Sequence, residues 1–377
     1  MRVLVDGMLL GDRPSGVEVS IEGLCRGLGA QIGAHEFMVV HRPSYQAEAL
    51  QGPVLTTHAA PGWTCSRAGR ILWEQSALSR FARRWGARVL HAPGYVMPLF
   101  WRGGSVLTVY DVLALSHPEW CKRSNVWHYR RALPVSLRRA TVVVVPSEVV
   151  RREVVACAPI EAGKVRVIPL GLGDQFAPVE EGTVARAREL YQLQKPYLLW
   201  VGNLEPKKNV PGLIRAFEAA SSRIPHDLVL AGKVGWQAQA SLQALAESPV
   251  AGRLRRLDYV PASDLPALYA GADLLVHWSL YEGAGLTPLE ALACGTAAIV
   301  SDGGALPELA GQVAPVVPLA AGPEALAEQI VSLLGDSDRR ARIVAEGQAL
   351  VSRLRWSRYA QHIVALYEEA AALASSS

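Results

Sequence analysis

No apolar run in the sequence approaches the roughly 18 residues of a membrane-spanning helix. Asp6 interrupts the N-terminal apolar stretch, which argues against a signal peptide. No GxGxxG with a following acidic residue is present, so a dinucleotide-dependent dehydrogenase is not supported, and the missing GxxxxGK[ST] removes the P-loop kinases and ATPases. The five cysteines (Cys25, Cys65, Cys121, Cys157, Cys294) stand far apart without a CxxC or a histidine pairing, the pattern of reduced, buried thiols in a cytoplasmic protein. No grouping of His, Cys and carboxylates has metal-ligand spacing. Asp336-Ser337-Asp338 has the Asp-x-Asp spacing of a metal site, but it falls between two helical stretches and reads as a cap. Charge is sparse at 19% of residues, and a net charge of +4 is too small to suggest nucleic acid by itself.

What is present describes a large globular protein. Half of the 377 residues are hydrophobic, more than one ordinary core accommodates, so two domains are expected. Short apolar runs alternate with helical patterns throughout: Arg2–Val5, Phe37–His41, Ala140–Val145, Pro196–Val201, Asp227–Ala231 and Ala297–Val300 read as buried strands. Such alternation predicts parallel α/β sheets. Ile71–Trp85 is expected to be one helix bearing Arg80, Arg83 and Arg84. It is either a solvated face or a surface for weak contact with an anionic membrane.

One stretch, Ala272 to Gly295 (ADLLVHWSLYEGAGLTPLEALACG), organises the rest. An apolar strand leads into a loop carrying Gly283 and Gly285, and Thr287 with Pro288 then opens a helix that Gly295 ends. Strand, glycine loop and helix N-terminus together hold an anion, usually a phosphate. Glu282 and Glu290 flank the loop with seven residues between them. Thr287-Pro288-Leu289-Glu290 fits a capping box, which would occupy Glu290 locally. Glu282 has no helix to cap, and a carboxylate there can accept from sugar hydroxyls or stabilise developing positive charge. Upstream, Lys207 and Lys208 stand just before a helix N-terminus, where they oppose the helix dipole unless an anionic ligand is bound.

The two glutamates within EGAGLTPLEALACG resemble the signature of the retaining nucleotide-sugar glycosyltransferases of family 4, and further segments match in order along most of the chain. The resemblance implies the GT-B fold: two Rossmann-like, doubly wound domains facing across a cleft, an acceptor-side domain over 1–178 and a donor-binding domain over 183–355. A last helix, 356–372, would return to the first domain, with a frayed Ser375–Ser377. Residues 179–182 would be the linker. It further implies that Glu282 lies by the donor sugar, that Glu290 binds the ribose and that Lys208 binds the diphosphate. The amides of Gly283, Ala284, Gly285, Leu286 and Thr287 would cradle sugar and phosphates, and the segment at Val260 would pack beside the base. Gly16, in the N-terminal glycine loop GDRPSGVEVS, would approach the donor, unless it only serves a strand-to-helix turn.

Two positions depart from the family pattern. Tyr110, before Asp111, stands where a His is frequent, and Asn203 where an Arg is frequent. A phenol can donate a hydrogen bond but cannot share the charge of an imidazole. Asp111 is the better match there, with a turn or cap role as its alternative.

The expected activity is metal-independent, retaining transfer of a sugar, GDP-mannose being the favoured donor, to a glycan, lipid-linked or small-molecule acceptor. Localisation would be cytoplasmic or peripheral at the inner membrane face. No nucleic-acid partner is expected, and oligomeric state stays open. The rivals are a catalytically silent sugar-nucleotide binder, which Tyr110 and Asn203 would permit, and a GT-B epimerase, which would need acid–base groups such as His91, His117 or His128.

Overall fold

A computed structural model describes residues 1–11, 16–50 and 52–375 of the chain. Residues 12–15 of the N-terminal glycine loop and the last two serines of the tail, both read above, lie outside the described residues. The chain forms two compact units. The first gathers Met1–Pro118, Arg123–Gly171 and Leu354–Ser377, and the second Glu119–Lys122 and Leu172–Arg353.

The first unit is built on β1 (Arg2–Gly7), β2 (Glu36–His41), β3 (Leu55–Ala59), β4 (Val89–Ala92), β5 (Gly104–Thr108), β6 (Val142–Val145) and β7 (Val165–Val167). They form one parallel sheet in the order β3-β2-β1-β4-β5-β6-β7. The four valines of β6 are all buried, as a strand covered on both faces requires. The second unit carries β8 (Tyr197–Val201), β9 (Asp227–Ala231), β10 (Leu254–Leu257), β11 (Leu274–His277), β12 (Ala298–Ser301) and β13 (Val316–Val317). Its sheet is also parallel, in the order β10-β9-β8-β11-β12-β13. In each sheet the order reverses once, between β1 and β4 and between β8 and β11. Successive loops there leave in opposite directions and open a crevice at the carboxyl ends of the strands.

The helix Trp356–Ser375 completes the first unit. It packs on the Gly16–Gly29 helix and on β5 because glycines let backbones approach. A Cβ at Gly23 would come within 2.1 Å of the Trp356 ring, and one at Gly104 within 2.6 Å of the Ala370 carbonyl oxygen. Tyr367 of this helix shares a 2.6 Å hydrogen bond with His91 Nδ1, and His91 Nε2 lies 2.8 Å from Thr108 Oγ1.

Three expectations need correction. The stretch read as one helix over Ile71–Trp85 begins at Arg67, capped by Ser66 Oγ accepting from Gly69 N at 3.0 Å. It widens into a π turn over Glu74–Leu78, and the α geometry returns over Ser79–Trp85. The segment read as a linker runs directly into the Glu181–Leu190 helix. Of the cysteines only Cys25 and Cys294 are buried, and Cys65 is exposed. Among the described residues no helix is long and apolar enough to cross a membrane.

Candidate functional site

The crevice of the second sheet, between β8 and β11, brings two loops together. After β8 the chain passes Gly202, turns through a short 3₁₀ segment, Pro206–Lys208, and enters the Val210–Ala220 helix by way of Asn209, whose φ is +52°. Asn209 makes no side-chain cap, and its Nδ2 donates instead to the Trp278 carbonyl in the loop after β11, at 3.3 Å. Leu280 N donates to the Lys207 carbonyl at 2.7 Å. These cross-links fix the two loops against each other, and the lysines before the helix end up beside the loop that carries Glu282. Gly202 is held by its neighbour β9: a Cβ on Gly232, where φ is +149°, would lie 1.8 Å from the Gly202 carbonyl oxygen.

Glu282 is the centre of the arrangement. Its Oε1 accepts from Lys208 Nζ at 2.5 Å and from His277 Nε2 at 2.8 Å. Burial alone would raise this carboxyl. The Lys208 ammonium and the His277 hydrogen bond outweigh burial and hold it well below the usual range. Burial also lowers His277, against the pull of Glu282, and Lys208 and Lys207 reinforce the lowering. A neutral imidazole donating Nε2–H to an ionised Glu282 satisfies both shifts. Its Nδ1 is buried without a hydrogen-bond partner among the described residues. The Glu282 backbone is clipped in turn: its carbonyl accepts from Ala305 N at 2.8 Å, and Gly304 at φ +63° lies so close that a Cβ would sit 2.3 Å from that oxygen. Sequence reading missed His277 because it lies inside an apolar strand pattern. Its one signal was an ionisable residue in a strand buried on both faces, five residues before Glu282.

The helix behind the glycine loop runs Leu286–Ala293, with Gly285 at φ +65° as its cap residue and no side-chain cap. The capping box, the alternative role for Glu290, therefore does not form. Thr287 lies inside the first turn, and Glu290 turns away to accept from the Tyr269 hydroxyl at 2.7 Å. The first turn of the helix has no side-chain cap, the condition in which a helix N-terminus receives an anion. Burial pushes Glu290 up to about 7, opposed by its Tyr269 hydrogen bond and by Lys208. Val260 is buried beyond β10, beside Tyr259, whose ring lies 4.6 Å from Lys233 Nζ. Asn203 is partly exposed on the loop after β8.

Gly16, Tyr110 and Asp111 belong to the first unit. Gly16 is exposed at the start of its helix, and its carbonyl accepts from Ser20 Oγ at 2.8 Å. Tyr110 is buried and packs edge-on against Tyr95 at 5.8 Å. Asp111 accepts from Leu113 N at 3.1 Å, a local turn contact, and from the Tyr95 hydroxyl at 3.3 Å. Asp336 also caps, accepting from Arg339 N at 2.9 Å. His91, a candidate acid–base group for an epimerase, is fully buried and lowered to about 3 by that burial.

Two doubly wound parallel units, one with a lysine–glutamate pair and a glycine loop at its switch point, define the GT-B class of glycosyltransferases. Comparison with known proteins gives the family. The description Glycosyltransferase Family 4 matches residues 14–175, and Glycosyl transferases group 1 matches residues 183–350. The chain belongs to the family 4 type of glycosyltransferase and resembles mannosyltransferases. It is 29% identical over 286 residues to the O-antigen chain mannosyltransferase B of Escherichia coli, covering 74% of each chain. It is 31% identical over 214 residues to the serotype-specific mannosyltransferase WbdA of E. coli, 55% of this chain and 26% of that longer protein. The crystal structure of Anabaena HepE in complex with UDP and glucose shares the fold, with a TM-score of 0.75 at 17% identity over 98% of this chain and 100% of that one.

Proposed function

We propose that the protein is a retaining mannosyltransferase that moves mannose from GDP-mannose to a glycan or lipid-linked acceptor in polysaccharide synthesis. The observation that carries this reading is the Glu282–Lys208–His277 cluster at the switch point of the second sheet. Lys208 would exchange Glu282 for the donor diphosphate and neutralise it as it leaves. The amides of the segment from Gly283 to Thr287 would take the remaining phosphate charge. Glu282, held ionised by its partners, would accept from the sugar hydroxyls and stabilise positive charge at the anomeric carbon. Glu290 would accept from the ribose hydroxyls, and the strand end at Val260 would flank the base. The acceptor hydroxyl oxygen bonds to the anomeric carbon as the bond to the diphosphate breaks, and the hydroxyl proton leaves with a phosphate oxygen. Because Lys208 supplies the cationic charge, no metal is required in this scheme. A nucleotide-sugar donor implies a cytoplasmic enzyme, peripheral at the inner membrane face when the acceptor is lipid-linked. The mannosyltransferase relatives support mannose as the sugar.

Calorimetric binding of GDP, UDP and dTDP to wild type and to Lys208→Ala tests the donor site. GDP is expected to bind best, and the substitution to weaken it tenfold or more, which is ~1.4 kcal/mol. If no nucleotide binds, or if Lys208→Ala changes nothing, the reading fails. Preference for another nucleotide would replace GDP-mannose and leave the chemistry standing.

A further inference from the structure

The Glu282 carboxyl has two side-chain partners among the described residues, and they differ in how free they are to leave. Lys208 Nζ, 2.5 Å from Oε1, ends a four-carbon side chain on the short Pro206–Lys208 turn. His277 Nε2, 2.8 Å from the same oxygen, belongs to a fully buried ring on β11, which lies between β8 and β12. The chain on either side of that ring is pinned. His277 pairs with Val300 of β12, Trp278 Nε1 donates to the Val317 carbonyl at 2.9 Å, and Ser301 Oγ donates to the Ser279 carbonyl at 2.5 Å. The lysine can swing away, and the imidazole cannot.

The neighbours fix the tautomer. Ser279 Oγ lies 3.2 Å from Nε2 and would donate to it only if that nitrogen carried no proton. Its lone pair would then face an ionised carboxylate at 2.8 Å. Nε2 therefore carries the proton, and Nδ1 is a buried lone pair without a hydrogen-bond partner among the described residues. A strand buried on both faces is an unfavourable place for such a ring, and an aliphatic side chain would leave no polar atom unpaired there. Completing the sheet does not call for a histidine.

The balance of charge gives the ring a use. With Lys208 in place, an ammonium neutralises Glu282. Once an anion draws Lys208 away, the carboxylate is left at 10% side-chain exposure with the imidazole as its remaining partner. A buried carboxylate without any hydrogen-bond donor would take up a proton or hold on to the lysine. We propose that His277 is a positioning residue, a fixed and neutral hydrogen-bond donor that keeps Glu282 in place and ionised after Lys208 transfers to the diphosphate of the sugar nucleotide. This rests on the diphosphate role given to Lys208 above. The charged and titratable groups facing the ring are Glu282, Lys208 and Lys207, with the Ser279 hydroxyl beside them. Without the imidazole, moving Lys208 from Glu282 to the phosphates becomes less favourable. Nucleotide binding then weakens, although a ring with no exposed surface touches no ligand.

Calorimetric titration of the full chain with GDP, UDP and dTDP at neutral pH tests the proposal. For the nucleotide that wild type binds best, His277→Leu is expected to weaken binding about tenfold or more, the size of a lost hydrogen bond to a charged group. His277→Gln, whose amide N–H can stand where Nε2–H stands, is expected to recover binding to within about threefold of wild type. In a Glu282→Gln background, where no charge needs holding, His277→Leu is expected to change binding by less than about threefold. Equal binding by wild type and folded His277→Leu, no recovery in His277→Gln, or the same loss in the Glu282→Gln background would each overturn the proposal. Thermal melts of the same variants separate packing from positioning: a lower midpoint for His277→Leu with unchanged nucleotide affinity makes the ring a packing residue. If His277→Leu does not fold, His277→Met, which fills irregular space more readily, takes its place. A wild type that binds none of the three nucleotides removes the donor-site reading together with this inference, whereas wild-type binding that His277→Leu leaves untouched removes this inference alone.

Discussion

Lys208 and Glu282 are each nearly buried, at 14% and 10% side-chain exposure, and neither would be comfortable there alone. In the structure each neutralises the other, and the neutral His277 supplies the extra hydrogen bond that lets the pair persist. The buried histidines carry an acid-sensitive share of the stability. His277 and His91 have folded values below that of a free imidazole, so each contributes stability above about pH 6.5 that is lost as pH falls below it. Glu282 is depressed as well; its contribution is present above the ordinary glutamate value near ~4.3 and is lost as pH falls toward its folded one. Buried Glu290, raised to about 7, works in the opposite direction and adds stability as pH falls, so the histidine contribution is read as a difference between variants. Between about pH 7 and about pH 5 the thermal midpoint of His91→Gln should rise relative to that of wild type. A difference between the two that does not change over that interval would contradict the neutral state assigned to His91.

Among the elements, the Glu282 loop is the most exacting, because Gly304 combines a left-handed φ with a carbonyl oxygen where a Cβ would go. Gly304→Ala is expected to cost at least about 2 kcal/mol in chemical denaturation and to abolish nucleotide binding. Gly252→Ala, where nothing lies within 4 Å of the added carbon, is the neutral control. The strands were legible in the sequence because a parallel strand buried on both faces must be an apolar run, as Val142–Val145 and Tyr197–Val201 are. The glycine loop and its two glutamates were legible for a similar reason, since few other uses exist for two glycines between a buried strand and a helix. The partner of Glu290 was not. Whether Glu290 turns back to its own helix depends on Tyr269, 21 residues away in sequence, and no local pattern reports that competition. The π turn was equally invisible, since EQSAL is ordinary helical sequence and its widening depends on what Glu74 meets in the fold.

Taken as one chain, the protein starts its first unit, makes nearly all of its second, and only then returns. The Trp356–Ser375 helix buries Tyr359, Ile363, Leu366 and Tyr367 on the first unit. At roughly 1.5–3 kcal/mol for each large apolar side chain, those residues alone represent a sum comparable with the whole stability of a typical domain. Truncation after Arg353 should leave the second unit with its cooperative melt and its nucleotide binding, and the first without a native transition. Circular dichroism melts with calorimetry on the truncated chain check this; two intact transitions would show that the helix is dispensable. Sequence reading anticipated that a last helix returns, but not that Gly23, Gly27 and Gly171 form the seat into which Trp356 fits, because those glycines lie far apart and only the fold assembles them.

That seat also sets an order of events at the ribosome. Every residue of the second unit leaves the exit tunnel before Trp356 does, so the unit begun first is finished last. Until then its apolar groove over the Gly16–Gly29 helix and β5 faces solvent unfilled, for the seconds that elongation through nearly half the chain takes. The nascent protein is thus most open to chaperone capture, and to pairing with the returning helix of a neighbouring chain, late in its synthesis.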